Sequence, residues 1–362
     1  MAPSTRSDPA IDVALFAPTL IAWQRIHGRQ TLPWQQLGDA RDAYRVWLAE
    51  IMLQQTQVAA VIPYYRRFLG RFADVQALAA APLDDVMELW SGLGYYSRAR
   101  NLHAAARSVV ADFGGTFPRD VDALQSLPGI GRSTGGAIAA FAFGVKAPIL
   151  DGNVKRVLAR VFLVEGLSTT TAYTKRMWAL GEALLPDEEI ERYTQGLMDL
   201  GATVCTPRNP ACLICPFESS CIAHREGREE EVPERAARKR VPLRWTAMLL
   251  VTRGRSVFVE RRPPVGIWGG LWSLPEMAAD TGDAAMADAV ARFGAAVSFE
   301  RTPGFVHGFT HFVLHAEIVR VTLDESVAMC ESPLPSTRWI SFDALASVGL
   351  PAPVRTLLEA LA

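Results

Sequence analysis

Apolar residues fall near helical period over residues 11–27, at Val13, Leu15, Phe16, Leu20, Ile21 and Trp23, which predicts a first helix. Leu32-Pro33-Trp34-Gln35 breaks that pattern. Asp42 is placed to cap a second helix over residues 43–58, AYRVWLAEIMLQQTQV, with Trp47, Ile51 and Val58 on roughly one side. Further helices are expected over YYRRFLGRF, APLDDVMELW and SRARNLHAAARSVVADF, the last two separated by Gly92-Leu93-Gly94-Tyr95-Tyr96. A helix, a Gly-x-Gly turn and a helix then cross LPGIGRSTGGAIAAFAFG, and TAYTKRMWALGEALL and IERYTQGLMDLGATVC continue the helical run. No strand pattern of length precedes residue 240. Beyond it come short β-rich runs, TAMLLVT, SVFVERR, GFVHGFTHFVLHAEIVRVTL and TRWISF, with helices expected at 284–293 and 353–361. Mixed charge without apolar period separates the two regimes and reads as a linker. The pattern therefore gives a multidomain chain: an all-α domain over 1–225, a linker over 226–242 and an α+β domain over 243–362.

Composition changes this picture little. At 362 residues, 49% of them apolar and 21% charged, the chain is long enough for two cores and globular in character. Basic and acidic residues nearly cancel, 37 against 38, so any surface for a polyanion must be local. No apolar run approaches the roughly 20 residues that span a bilayer, and residues 1–8 lack the features of a signal peptide. A cytoplasmic protein without membrane attachment is expected.

Candidate chemistry gathers at a few places. Gly129 and Gly131 allow a tight turn whose amides meet the positive end of the helix starting near Arg132, a ready phosphate site or a plain turn. Asp151 follows Pro148, Ile149 and Leu150, where it could cap the next helix or act as an acid. Glu50 is the only acid in its helix after the start, and partial burial among Leu48, Ile51, Met52 and Leu53 would raise its pKa. Gln54, Gln55, Thr56 and Gln57 follow as an uncharged polar cluster able to meet base edges or simply to face solvent. Gly92 to Tyr96 offers close backbone approach and stacking faces, with Arg98 and Arg100 beyond. Cys205, Cys212, Cys215 and Cys221 crowd into seventeen residues as C-x6-C-x2-C-x5-C, while Cys330 stands apart. Four thiolates at that spacing fit zinc or an iron–sulfur cluster, zinc being the commoner.

Taken together, LPWQ, WLAEIMLQQTQV, GLGYYSRARNLH, LPGIGRST, ILDGNVKRVLAR and the four-cysteine loop resemble the helix-hairpin-helix DNA glycosylases, specifically the adenine-specific mismatch glycosylases of the MutY type. The resemblance spans essentially the whole chain. It implies that Glu50 and Asp151 are the catalytic acids with Asn153 beside them, that Gln35, next to Trp34, and Gln195 lie near the adenine, and that Gln55 and Tyr95 enter the duplex around the opposite base. Gln54 and Thr56 fall in the same DNA-facing cluster. Gly129 and Gly131 grip the strand, Lys155 contacts phosphate, and the cysteines hold one 4Fe-4S cluster over 205–221. The second domain resembles the Nudix-like recognition domain, in which Phe309-Thr310-His311 stands where the family reads 8-oxoguanine with Phe-Ser-His. The metal-binding acids of an active Nudix hydrolase are missing at 276–296.

Ser133 occupies the hairpin position where relatives with lyase action carry lysine, whose amine attacks the sugar. The resemblance thus implies a monomeric, monofunctional enzyme that removes adenine opposite 8-oxoguanine or guanine in double-stranded DNA and leaves an abasic site. A pyrimidine or uracil glycosylase, with or without lyase action, and a non-catalytic lesion reader are the competing expectations.

Overall fold

The structure, a computed structural model, describes residues 12–35, 41–234, 236, 240–277, 296–324 and 336–362. Asp12 starts α1 (Val13–His27) by accepting from Ala14 N at 2.9 Å. Asp42 does the same for α2 (Ala43–Leu53), accepting from Tyr44 N at 2.9 Å and Arg45 N at 3.4 Å. Helix α2 is buried on nearly every side, through Tyr44, Val46, Trp47, Leu48, Ala49, Ile51 and Met52, rather than along one stripe. It stops at Leu53 instead of reaching residue 58. Gln55 takes a left-handed φ of 56°, and α3 restarts at Val58–Arg71. The four polar residues 54–57 have no apolar stripe to hold a helix against the core, so they form an irregular turn.

The remaining helices are α4 (Val75–Ala80), α5 (Leu83–Trp90), α6 (Ser97–Phe113), α7 (Val121–Ser126), α8 (Arg132–Phe143), α9 (Gly152–Val161), α10 (Thr171–Ala183), α11 (Ile190–Thr203) and α12 (Ile222–Arg225). They are followed by strands β1 (Leu243–Arg253), β2 (Ser256–Arg261), β3 (Trp272–Ser273), β4 (Glu276–Met277), β5 (Ala296–Gly308), β6 (Val313–Leu323) and β7 (Thr337–Ser341), and by α13 (Ala352–Glu359). The helix expected at 284–293, the segment carrying most of the missing Nudix acids and Cys330 lie outside the described residues.

Contacts divide the chain into two compact units. One takes the chain up to Tyr65, Phe72–Ala79 and Ala104–Arg238; the other takes Arg66–Arg71, Ala80–His103 and Lys239–Ala362. In the first, α1 and α9 pack against α11 around Phe16, Leu20, Val157, Leu158, Tyr193, Leu197 and Leu200, all buried. Stacking of Phe16 on Phe217, with centroids 4.6 Å apart, ties this core to the cysteine loop. The first part of the expected linker belongs to this unit. Val232 is buried with its carbonyl held by Arg160 Nε at 3.0 Å, and Arg228 pairs with Glu165 at 2.7 Å, Glu226 at 3.2 Å and Glu231 at 3.0 Å. Its charges are used in fixed pairs, which is why it carries no apolar period.

In the second unit the described strands form a mixed sheet in the order β3-β2-β1-β6-β5, with β4 on β1 and β7 on β2. Strands β1 and β6 run parallel over ten residue pairs, and the other pairings are antiparallel. The long run at 304–323 splits into β5 and β6, so Phe309-Thr310-His311 forms a hairpin tip rather than strand interior, with Thr310 and His311 exposed. Phe309 N bonds back to Phe312 O at 2.8 Å, which closes that tip.

The closest approach of α9 and α11 depends on a missing side chain. A Cβ on Gly201 would sit 2.6 Å from the Cβ of Asn153. Gly201→Ala should therefore lower stability by roughly 1–3 kcal/mol, read as a fall in chemical-denaturation midpoint, while a neutral change would show that the helices can part freely here.

Candidate active site

Burial of α2 isolates one ionisable group. Glu50, on its last turn, lines a cavity of about 290 Å³ in the helical unit. Loss of solvation, then repulsion from Asp151, pushes its pKa up to about 8. Asp151 is indeed the N-cap of α9, accepting from Val154 N at 2.8 Å. The helix-cap and acid readings of this residue are therefore compatible. Burial raises its pKa too, but backbone N–H groups of Val154 and Asn153, and the charges of Arg156 and Lys155, pull the other way. No such donors favour ionised Glu50. The charge of Asp151 thus adds to the rise at Glu50, while the amides and basic neighbours of Asp151 offset part of its own burial.

Around Glu50 the cavity is lined by Trp34, Gln35 and Gln195, which the sequence pointed to, and by Gln24, Arg29, Gln30, Arg41, Glu191 and Arg192, which it did not. Trp34 is fixed edge-on against Tyr65 at 5.5 Å, and Gln35 Oε1 accepts from Leu32 N at 3.3 Å. Asp199 stands one helical turn beyond Gln195 and is fully buried. It accepts from Arg29 N at 2.8 Å, Arg29 Nε at 2.6 Å and Gln195 Nε2 at 2.7 Å. An acid among Leu197, Leu200 and Gly201 on an otherwise apolar helix face was the available signal for this triad.

The hairpin between α7 and α8 touches both acid-bearing segments. Gly129 takes φ 80°, closed to other residues, whereas Gly131 at φ −89°, ψ 174° is ordinary extended backbone. The special conformation expected of both glycines holds for the first alone. Gly131 caps α8 without a side chain, which leaves the helix's first amides directed outward. In the first turn of α8, Ser133 Oγ accepts from Leu150 N at 3.0 Å, anchoring the residue before Asp151. Its neighbour Thr134 accepts from Gln54 Nε2 at 3.1 Å, one turn past Glu50. Gln55 is exposed, and Thr56 Oγ1 turns back to Gln54 O at 3.2 Å. Lys155 is half-buried on α9. Asn153 Oδ1 accepts from Arg156 Nη2 at 2.8 Å, and Arg156 reaches Cys205 O at 2.6 Å.

Cys205, Cys212, Cys215 and Cys221 all line one pocket floored by Val157, Val161, Leu200 and Val204. Burial and mutual repulsion push the Cys212 thiol up to about 11 and Cys215 to about 12, and raise Cys221. Thiols raised in this way are at ease as thiolates only around a cationic centre. Arg160 supports that state: it is buried, and its guanidinium donates to Val232 O, Thr206 O and, at 3.4 Å, Cys205 Sγ, rather than to a carboxylate. The donor set thus fits a sulfur-ligated metal group. His224 and Glu229, bonded to each other, flank Cys212, with Glu229 Oε1 3.7 Å from its Sγ.

In the second unit, Tyr95, Phe309, Thr310 and His311 line one cavity of about 420 Å³ together with Trp268 and His307. Tyr95 is 41% exposed in a left-handed conformation, φ 50°, with Arg98 5.4 Å from its ring. Trp268, Phe309 and His307 contact one another at 4.7–5.7 Å between ring centres. Pairing of Tyr95 with residues more than 200 positions later had no local signal.

Residues 48–183 match the HhH-GPD superfamily base excision DNA repair protein model, and residues 246–360 match a NUDIX domain. The adenine DNA glycosylase of Buchnera aphidicola subsp. Schizaphis graminum is 34% identical over 348 residues, 96% of this chain and 99% of that protein. The adenine DNA glycosylase of Mus musculus is 33% identical, covering 92% of this chain and 75% of its own length. Among solved structures, a thermostable thymine-DNA glycosylase aligns with TM-score 0.52 and 29% identity over 59% of this chain and 97% of its own. With an acid of raised pKa at one cavity, a second acid near enough to repel it, and relatives alike over nearly the whole length, the chain belongs to the adenine DNA glycosylases, base-excision repair enzymes of the helix-hairpin-helix superfamily.

Proposed function

We propose that the chain removes adenine mispaired with 8-oxoguanine, and with guanine, leaving an intact strand with an abasic site. The observation that carries this reading is the acid pair: Glu50, its pKa pushed up to about 8 at a cavity lined by amides and guanidinium groups, and Asp151, near enough to repel it and held by amides that favour its charge. Adenine sits inside the duplex stack, so its nucleotide must rotate out at a cost of roughly a few kcal/mol, which phosphate contacts and inserted side chains offset. The uncapped start of α8 and Lys155 supply the former, and Gln55 and Tyr95 the latter. Glu50 delivers its proton toward N7 of the base, so that the bond to the sugar breaks with the base leaving as a neutral group. Asp151 faces the oxocarbenium charge that develops. Glu50, now a base, activates the water that completes the abasic site.

Strand cleavage is not part of this reading, because Ser133 offers no amine and its hydroxyl is engaged with Leu150. The four cysteines would hold one 4Fe-4S cluster, whose cationic iron core would neutralise the thiolates and fix the loop at residues 205–221. In the second unit, Thr310 and His311, at the exposed tip beside Tyr95 and Trp268, read the base opposite adenine. We take the protein to act as a monomer in the cytoplasm, with the glycosylase domain over 1–225 and the recognition domain over 243–362. Among the described residues no helix is long and apolar enough to cross a membrane.

Glu50→Gln should bind mispaired duplex within about twofold of the parent while releasing no adenine, and breakage of product strands should need alkali. Release by the variant, or breakage without alkali, contradicts the reading. The same substitution should stabilise the fold. A buried acid whose pKa is raised from about 4.5 to about 8 costs stability that grows as pH climbs through that window and is constant above it. The unfolding free energy of the variant should therefore pull ahead of the parent between pH 5 and 8, by an amount on the order of a few kcal/mol, read from chemical denaturation across that range. Thr310→Ala should narrow the preference for 8-oxoguanine over guanine by about tenfold, one hydrogen bond's worth, while Thr310→Ser keeps it.

A further inference from the structure

We infer that Asp199 sets the enzyme's choice of base by fixing which end of the Gln195 amide faces the cavity. This rests on adenine occupying the cavity beside Glu50. A glutamine amide presents two donors at one end and an acceptor at the other, and its end-to-end sense follows from its partners. Here the partner is a carboxylate. Asp199 is fully buried and ion-paired with Arg29 at 2.6 Å, so its oxygens only accept. Gln195 Nε2 donates to Asp199 Oδ1 at 2.7 Å. Gln195 Oε1 is thereby left as the acceptor, and Gln195 lines the cavity.

The consequence is chemical selection at the six-position of a purine. Adenine carries an exocyclic amine there, a donor that matches Gln195 Oε1. Hypoxanthine and guanine carry a carbonyl, which would meet that oxygen lone pair to lone pair. Reversing the amide would reverse the preference, and Asp199 prevents the reversal. Arg29 takes part twice. Its Nε and backbone N–H hold the Asp199 carboxylate in place, and the residue also lines the cavity, where its guanidinium can only donate to ring nitrogens. Asp199 is thus a positioning residue, acting on the base through Gln195. A site with a fixed acceptor rejects a mismatched carbonyl because a desolvated group is then left unpaired, a penalty worth roughly 10–100-fold per contact.

The test is single-turnover base release from duplexes carrying adenine or hypoxanthine opposite guanine, for the full-length protein and for Asp199→Asn and Gln195→Leu. Comparing the adenine-to-hypoxanthine ratio between variants cancels the different intrinsic lability of the two bases. Asp199→Asn provides a donor that can hold Gln195 Oε1 and turn its amine inward, so the ratio should fall by about 10–100-fold; an unchanged ratio in folded protein overturns the inference. Gln195→Leu leaves the Arg29–Asp199 pair in place and should also collapse the ratio, which keeps the inference open to refutation where the buried asparagine prevents folding. If Gln195→Leu slows adenine release but keeps the ratio, the orientation argument fails while the cavity remains the adenine site. If it alters neither, adenine does not occupy this cavity and the inference falls with it.

Discussion

Burying a carboxyl group is costly, and this fold does it twice within reach of one charge–charge interaction. Glu50 lies in a helix packed on nearly every side, without donors that favour its ionised form. Asp151 lies at a helix start, where amides and two basic residues favour its charge. Each environment is ordinary, one apolar and one N-terminal, but their adjacency forces the two acids apart in proton affinity. Glycosidic bond cleavage at neutral pH needs that separation: a proton for the leaving base and a negative charge for the sugar. In the proposed mechanism the stability given up at Glu50 is thus tied directly to the reaction.

The rest of the helical unit holds this pair in register. The first turn of α8 is a common anchor, Ser133 reaching the backbone before Asp151 and Thr134 reaching the side chain that follows the Glu50 helix. The hairpin is therefore bonded to both acid-bearing segments, so that the turn and the acid spacing are coupled through two hydrogen bonds. On the other side, Arg156 spans from Asn153 to Cys205 O, so the cysteine loop braces the start of α9. Close packing of Gly201 on Asn153 completes that brace.

How much of this was legible in the sequence depended on whether the signal was local. Caps were: Asp42 and Asp151 each begin a helix where an acid precedes an apolar period. The cysteine cluster was legible from spacing, and Glu50 from its isolation in an apolar helix. The end of α2 was not, because Val58 falls on the same helical side as Trp47 and Ile51 in sequence while Gln55 turns the backbone left-handed. Nor did the hydrophobic pattern show the strand break at Phe309-Thr310-His311, where aromatic residues favourable to strands make a hairpin tip beside a cavity and only the family resemblance pointed to a loop. Asp199 and Arg29 were invisible for a different reason. Their partnership joins residues 170 positions apart, and a buried acid on an apolar stripe declares a partner without naming it.

The central claim, that Glu50 works as an acid because burial beside charged Asp151 raises its pKa, is tested most directly by the pH dependence of single-turnover adenine release at saturating enzyme. The rate should hold through neutral pH and fall about tenfold per unit above roughly pH 8 as Glu50 loses its proton. It should also decline at acidic pH, where Asp151 becomes protonated. A rate that stays level or rises through pH 9 would mean that Glu50 is not the proton donor, and would contradict the account.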